Sequence, residues 1–180
     1  VYKSQLYNMV EELMDFSRLQ NGRLKMECRP LDLVAELTDA VLFCEARIQR
    51  EGLLLAYAEP EEMIPVYADP DRLRQVFINI LDNAIKYSPN YGEIGVRISE
   101  GPETLAVTIT NYGPDIPKDK VSRIWGKFYQ ADESHSSEGN GIGLAVVKQV
   151  VQLHGGTATV DSGSGSTTFT VELPKQEETV

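Results

Sequence analysis

Two asparagines four residues apart, Asn79 and Asn83, interrupt an otherwise apolar helical pattern in QVFINILDNAIKYSP. That spacing puts both carboxamides on one helix face, and Lys86 and Tyr87 follow one turn later close to the same face. Two amide oxygens can ligate a hard cation, an ammonium can meet phosphate, and a phenol ring can pack on a flat base. A solvated face with a snorkelling lysine has the same spelling, and these residues alone leave both readings open. Gly139, Gly141 and Gly143 in GNGIGL stand just before another helical pattern. Glycines there let backbone N–H groups approach an anion at a helix N-terminus, although a flexible hinge would be spelled the same way. The preceding SHSSE is not a strand, so the dinucleotide fingerprint does not apply, and the P-loop pattern is absent. Asn111 opens NYGPDIP directly after a strand pattern, where a side chain can point into a pocket; an ordinary turn is the alternative.

The elements that must hold these residues follow from periodicity. Leu6, Met9, Val10, Leu13, Phe16 and Leu19 form an apolar stripe from the very start, without an N-cap, so the chain is expected to begin inside a longer helix. Asn21-Gly22 ends it. A second helix is predicted over 33–50, with Leu33, Leu37, Val41, Cys44 and Ile48 on one face. Short strands are predicted at 53–58 and 65–68. Asp69-Pro70 then starts a helix over 70–87 that buries Leu73, Val76, Phe77, Ile80, Leu81 and Ala84. Strands at 94–99 and 105–110 precede a long irregular stretch, 111–140, with one short helix around 118–125. A helix over 142–154, closed by Gly155-Gly156, and strands at 157–161 and 167–173 complete an α+β pattern.

Composition limits what these elements can do. Of 180 residues, 17 are Lys or Arg and 27 are Asp or Glu, a net charge of −10. That excess argues against phosphate-neutralising nucleic-acid binding and against a polybasic membrane surface. Hydrophobic residues at 42% exclude wholesale disorder. No apolar run approaches the roughly 20 residues of a membrane span, and the start lacks a signal peptide's charged-then-apolar order. Cys28 and Cys44 make neither a disulfide framework nor a metal site, so a cytoplasmic setting is expected.

Taken together, the motifs resemble the ATP-binding catalytic domain of bacterial sensor histidine kinases, in the superfamily shared with DNA gyrase, the Hsp90 chaperones and the MutL repair proteins. QVFINILDNAIKYSP resembles its N box, TNYGPDIP its first glycine box and RIWGKFYQAD its F box. GNGIGLAVVKQVVQLHGG resembles its second glycine box, and GSGSTTFTVELP its last glycine-containing strand. The resemblance covers about residues 66–174 in the family's order. It implies a Bergerat-type two-layer α/β sandwich with a mixed, mostly antiparallel sheet covered by helices on one face. Residues 1–21 would end a dimerisation helix, 22–31 would link it to the ATP-binding domain at 32–175, and 176–180 would be a tail.

The resemblance also implies roles. Asn79 and Asn83 would hold Mg²⁺ against the ATP phosphates, Lys86 would contact those phosphates, and Tyr87 would pack near the adenine. Asn111 stands where the family usually has Asp and would accept from the adenine amino group. Gly113 would let the backbone approach the base, and Ile116 would line its pocket. Residues 126–140 would form an ATP lid, with Gly139, Gly141, Gly143 and Leu144 around the phosphates and Thr167 in less direct contact. Asp115 replaces a family glycine, Gln130 a common Arg, Trp125 a common Phe, and Ser166 a glycine, which leaves Lys86 as the main side-chain cation at the phosphates.

The implied activity is phosphoryl transfer from ATP to a histidine. Related ATPases place a Glu at the first N-box position to activate water, and Asn79 cannot take a proton. Neither His135, in the lid, nor His154, at a helix C-terminus where the helix dipole favours it, suits a phosphoacceptor. The acceptor is expected on an earlier helix, with a response-regulator receiver domain as the next partner and a homodimer as the full-length state. A non-catalytic relay or phosphatase-biased domain, a hydrolytic cousin and a serine kinase are the alternatives.

Overall fold

Asp69 starts the helix that carries the two asparagines. In the computed structural model, which describes residues 2–126 and 141–176, its carboxylate accepts from the backbone N–H of Asp71 and Arg72 at 3.1 and 3.2 Å. Pro70 fills the first helical position, which has no use for an N–H. Among the described residues the chain order is α1 (Tyr2–Gln20), β1 (Arg29–Asp32), α2 (Leu33–Arg50), β2 (Leu54–Tyr57), β3 (Pro65–Ala68), α3 (Pro70–Tyr87), β4 (Glu93–Glu100), β5 (Thr104–Tyr112), α4 (Gly143–Leu153), β6 (Thr157–Gly163) and β7 (Ser166–Pro174).

The main sheet has five strands in the order β2-β4-β5-β7-β6, parallel only between β2 and β4. Its strands alternate strictly. Val107, Ile109, Phe169 and Val171 are buried under the helices, while Thr108, Thr110, Thr168 and Thr170 fall on the other face. The β6–β7 turn is Ser164-Gly165 with φ of 55° and 82°, the two left-handed residues that a tight hairpin of the favoured twist needs. Helix α4 ends on paired glycines in a Schellman arrangement: Gly156 N–H donates to Val151 and Gly155 N–H to Gln152, both at 3.0 Å.

Two expectations change, and the first helix shows which of its faces packs here. Arg29–Asp32 is a strand within the expected linker. It pairs antiparallel with β3 in a separate two-stranded sheet, so the two strands expected at 53–58 and 65–68 belong to different sheets. The short helix expected around 118–125 is a chain of turns: Lys120 bonds back to Pro117, Arg123 to Lys120 and Gly126 to Arg123, with no continuous ladder. Among the described side chains of the α1 stripe, Phe16 and Leu19 are buried against the core, and Leu6, Val10 and Leu13 are exposed. Asp15 adds a 3.0 Å ion pair to Arg72 of α3.

The helical stripes of α2, α3 and α4 are buried as their spacing predicts. Cys44 lies in the α2 stripe. Burial, reinforced by the Asp82 carboxylate and opposed by Arg47, pushes its thiol up to about 12 from an ordinary 9.0. The folded chain therefore prefers the neutral thiol. That stability is fully present below pH 9 and is lost as pH climbs toward about 12. Chemical-denaturation stability should fall through this window by up to about 1.4 kcal/mol per pH unit, and Cys44→Val should remove this component. Burial also raises Tyr57, so both proteins share some loss above pH 10. Identical pH profiles for the two proteins would exclude the thiol as the source.

Candidate nucleotide-binding site

Asn79 and Asn83 lie half-buried on α3, one turn apart, away from the fully buried Phe77, Ile80 and Leu81. Asn79 donates through Nδ2 to the Gly143 carbonyl at 3.2 Å, which fixes the amide's orientation and leaves Oδ1 as an acceptor. Gly143 is the first residue of α4. A Cβ there would fill the space beside Asn79, 3.6 Å from its Cγ. Gly141 has φ +70°, and Ile142, fully buried, caps α4 without a side-chain hydrogen bond. The first turn of α4 carries no acidic residue, so its N–H groups and helix dipole favour an anion.

At the other end of α3 the first glycine box closes in. A Cβ on Gly113 would stand 2.8 Å from the Tyr87 carbonyl oxygen, so only glycine lets this loop lie against α3. The Gly113 N–H donates to Gly165 at 2.9 Å, and the Asp115 carboxylate accepts the Gly165 N–H at 2.8 Å. The residue that replaces a family glycine thus clasps the β6–β7 hairpin to the loop. Ile116 packs against the core and donates its N–H to Ser162 Oγ at 2.8 Å. Asn111 is buried in β5, paired with Thr167 of β7, which is buried too.

Lys86 lies in the last turn of α3 beside Tyr87. Its ammonium rests 5.4 Å from the Tyr87 ring centroid. The residue lines a polar hollow of about 240 Å³ with Arg47 of α2 and Glu51, the residue that caps its C-terminus. Leu144 is half-buried against the core at the start of α4. Trp125 meets Phe169 of β7 edge-on at 5.7 Å, with Lys148 of α4 over its ring at 5.6 Å. Gly139, Gln130, His135 and most of the expected lid, 127–140, lie outside the described residues.

His154 sits at the α4 C-cap, but as a connector. Its Nε2 accepts the Asp69 N–H at 3.0 Å, so the ring is the neutral tautomer whose Nδ1–H donates to the Val150 carbonyl at 2.8 Å. Asp69 in turn accepts the Glu27 N–H at 2.9 Å. Sequence reasoning missed this junction, and it missed Ser162. Both depend on pairings more than 40 residues apart, except that the Ser164-Gly165 turn would have fixed Ser162 opposite Thr167.

Donor chemistry can be tested against a metal. Among the described residues no group of three or more His, Cys, Asp or Glu side chains could hold one. Two carboxamide oxygens fit a hard cation that takes its remaining ligands from phosphate and water, as Mg²⁺ does.

Comparison with known proteins agrees with this arrangement. Residues 68–177 match the family model described as "Histidine kinase-, DNA gyrase B-, and HSP90-like ATPase". The adaptive-response sensory kinase SasA of Synechocystis is 33% identical over 156 residues, 86% of this chain and 40% of its own length. The chain therefore spans less than half of that relative. Mycobacterial sensor histidine kinase MprB superposes with a TM-score of 0.72 at 29% identity, covering 82% of this chain and 99% of that one. Full-length ShkA, solved in complex with AMPPNP, gives a TM-score of 0.82 at 27% identity over 94% of this chain and 36% of its own. With residues 68–177 matched by that model, and Asn79 of α3 bonded to the first residue of α4 beside a mixed five-stranded sheet, the chain belongs to the histidine kinase-, DNA gyrase B- and HSP90-like ATPases.

Proposed function

We propose that this chain is the ATP-binding catalytic part of a two-component sensor histidine kinase, delivering the γ-phosphoryl group to a histidine on a dimerisation domain. The observation that carries it is the Asn79 amide, held by the Gly143 carbonyl at the start of α4 with its oxygen left to accept, one turn before Asn83 on the same helix. The names of SasA and MprB and the AMPPNP bound to ShkA support the same reading.

In this reading the residues divide the work. Asn79 and Asn83 position Mg²⁺, which neutralises phosphate charge when bound. Lys86 leaves the Tyr87 ring to meet a phosphate oxygen, and the N–H groups around Gly141 and Gly143, joined by Gly139 and Leu144, cradle the rest. Tyr87, Asn111, Gly113, Ile116 and Thr167 receive the base. Asn79 has no basicity, so water is not activated, and the incoming imidazole nitrogen is its own nucleophile. Catalysis is then positioning and charge stabilisation. Helix α1 would be the end of the dimerisation helix, the dimer would supply the phosphoacceptor, and a response-regulator receiver domain would take the phosphoryl group onward. Among the described residues no helix is long and apolar enough to cross a membrane, and the proposed workplace is the cytoplasm.

Isothermal titration with AMPPNP tests the reading. Submillimolar binding that requires Mg²⁺ is expected. Absence of heat up to millimolar nucleotide, with and without Mg²⁺, would sink it.

A further inference from the structure

Across the buried face of the main sheet, one row of side chains differs from its neighbours. Ile94 pairs with Asn111, Asn111 with Thr167, and Thr167 with Ser162. The row beside it reads Val96, Ile109, Phe169 and Val160, apolar throughout. Residues paired directly across a ladder share a face, so Asn111 and Thr167 stand side by side, 3% and 4% exposed. Among the described residues Asp69 is the other buried polar side chain, and it is committed to capping α3. The Asn111–Thr167 pair is therefore a polar island at the end of an apolar sheet, beside the loop that carries Gly113 and Ile116.

The hydrogen bonding of this island has no fixed polarity. Ser162 Oγ receives the Ile116 N–H at 2.8 Å and lies 2.7 Å from Thr167 Oγ1, where either hydroxyl can donate. When Ser162 donates, the Thr167 proton is free to be given to something else. When Thr167 donates, its oxygen keeps a lone pair to receive. Asn111 is reversible too, because rotating the carboxamide exchanges an acceptor oxygen for a donor NH₂. A carboxylate at the same place would accept only.

A purine's recognition edge comes in two polarities. A 6-amino purine presents a donor beside the N1 acceptor; a 6-oxo purine presents an acceptor beside an N1–H donor. We propose that Asn111 and Thr167 form a base-reading pair of reversible polarity, so that the site takes both 6-amino and 6-oxo purine nucleoside triphosphates. The proposal rests on the nucleotide-binding reading above and adds the substrate class to it. Asn111 offers its oxygen to the amino group or its NH₂ to the oxo group, and the Ser162–Thr167 pair switches direction to suit N1.

Displacement of trinitrophenyl-ATP from the 180-residue chain by ATP and by ITP, both with Mg²⁺, reads this directly. In the native protein ITP should compete within about tenfold of ATP. In Asn111→Asp the carboxylate would face the oxo group, and ITP should weaken relative to ATP by a further ~10–100-fold. ITP more than about 100-fold weaker than ATP in the native protein would overturn the proposal while leaving ATP binding intact. That comparison needs no variant to fold. An unchanged ITP-to-ATP ratio in a folded Asn111→Asp protein would also overturn it, by removing Asn111 from the base. Failure of every nucleotide to displace the probe, or of the probe to bind, would overturn this proposal and the nucleotide-binding reading together.

Discussion

Alanine in place of Gly156 is expected to destabilise the chain by about 3 kcal/mol or more, the largest effect of a Gly→Ala change among the described residues. A Cβ there would run into the Glu172 carbonyl oxygen, deep inside van der Waals contact, and lie 3.2 Å from Leu173 Cδ2. The obstacle is strand backbone, which cannot rotate aside as a side-chain tip would. Gly156 also donates the long bond of the α4 Schellman cap, and Thr157, next in the chain, pairs with Glu172. Relief therefore has to move either the α4 terminus or the start of β6. Urea unfolding followed by fluorescence of the single tryptophan, Trp125, measures the loss. Gly163→Ala is the control: nothing lies within 4 Å of its added Cβ, and a change within about 0.5 kcal/mol is expected. A cost below about 1 kcal/mol for Gly156→Ala would mean that β6 yields easily.

The largest functional effects are expected at the two asparagines, and they should differ in kind. Asn83→Ala removes a proposed metal ligand whose side chain tethers no other element in the described hydrogen bonding. Mg²⁺-dependent AMPPNP affinity should fall by ~10–100-fold, the worth of an interaction with a charged group, while stability stays within about 0.5 kcal/mol of native. Asn79→Ala removes the matching oxygen and also the bond to Gly143 that ties α3 to α4. A comparable loss of affinity should come with about 1 kcal/mol of lost stability. Titrations with and without Mg²⁺, set beside denaturation curves, separate the two effects. If Asn83→Ala keeps its full metal dependence, the ligand role belongs elsewhere. If Asn79→Ala costs no stability, the tether to Gly143 does not hold in solution.

Much of this was legible in the sequence because it is local. The bounds of α3 follow from Asp69-Pro70 at one end and Ser88-Pro89 at the other, and its buried stripe follows from spacing alone. The five motifs in order were sufficient for the family. Illegible parts were those decided between distant segments. Nothing in RPLD says strand until β3 comes to pair with it, and the apolar content of LLAY and PVYA cannot say that they join different sheets. The turns after Pro117 have the composition of a short helix, but after the Lys120 and Val121 bonds to Pro117 they close only from Arg123 to Lys120 and from Gly126 to Arg123. At the site, Asp115 looked like a defect in a glycine motif because its partner, the Gly165 amide, is 50 residues away. The spacing of Lys86 could not say that its ammonium rests over the Tyr87 ring, beside a hollow lined by Arg47 and Glu51.

Asp69 shows how the fold distributes risk. One carboxylate begins α3 and holds the chain at Glu27, and the N–H of the same residue reaches the end of α4 through His154. Three segments that are far apart in sequence thus share a single rivet. The approach from α1, the start of the asparagine helix and the end of the glycine-box helix cannot loosen independently, so a tug on the connecting chain is felt at the foot of both helices at once. In such an arrangement the segment arriving from α1, the foot of α3 and the end of α4 are joined at one residue.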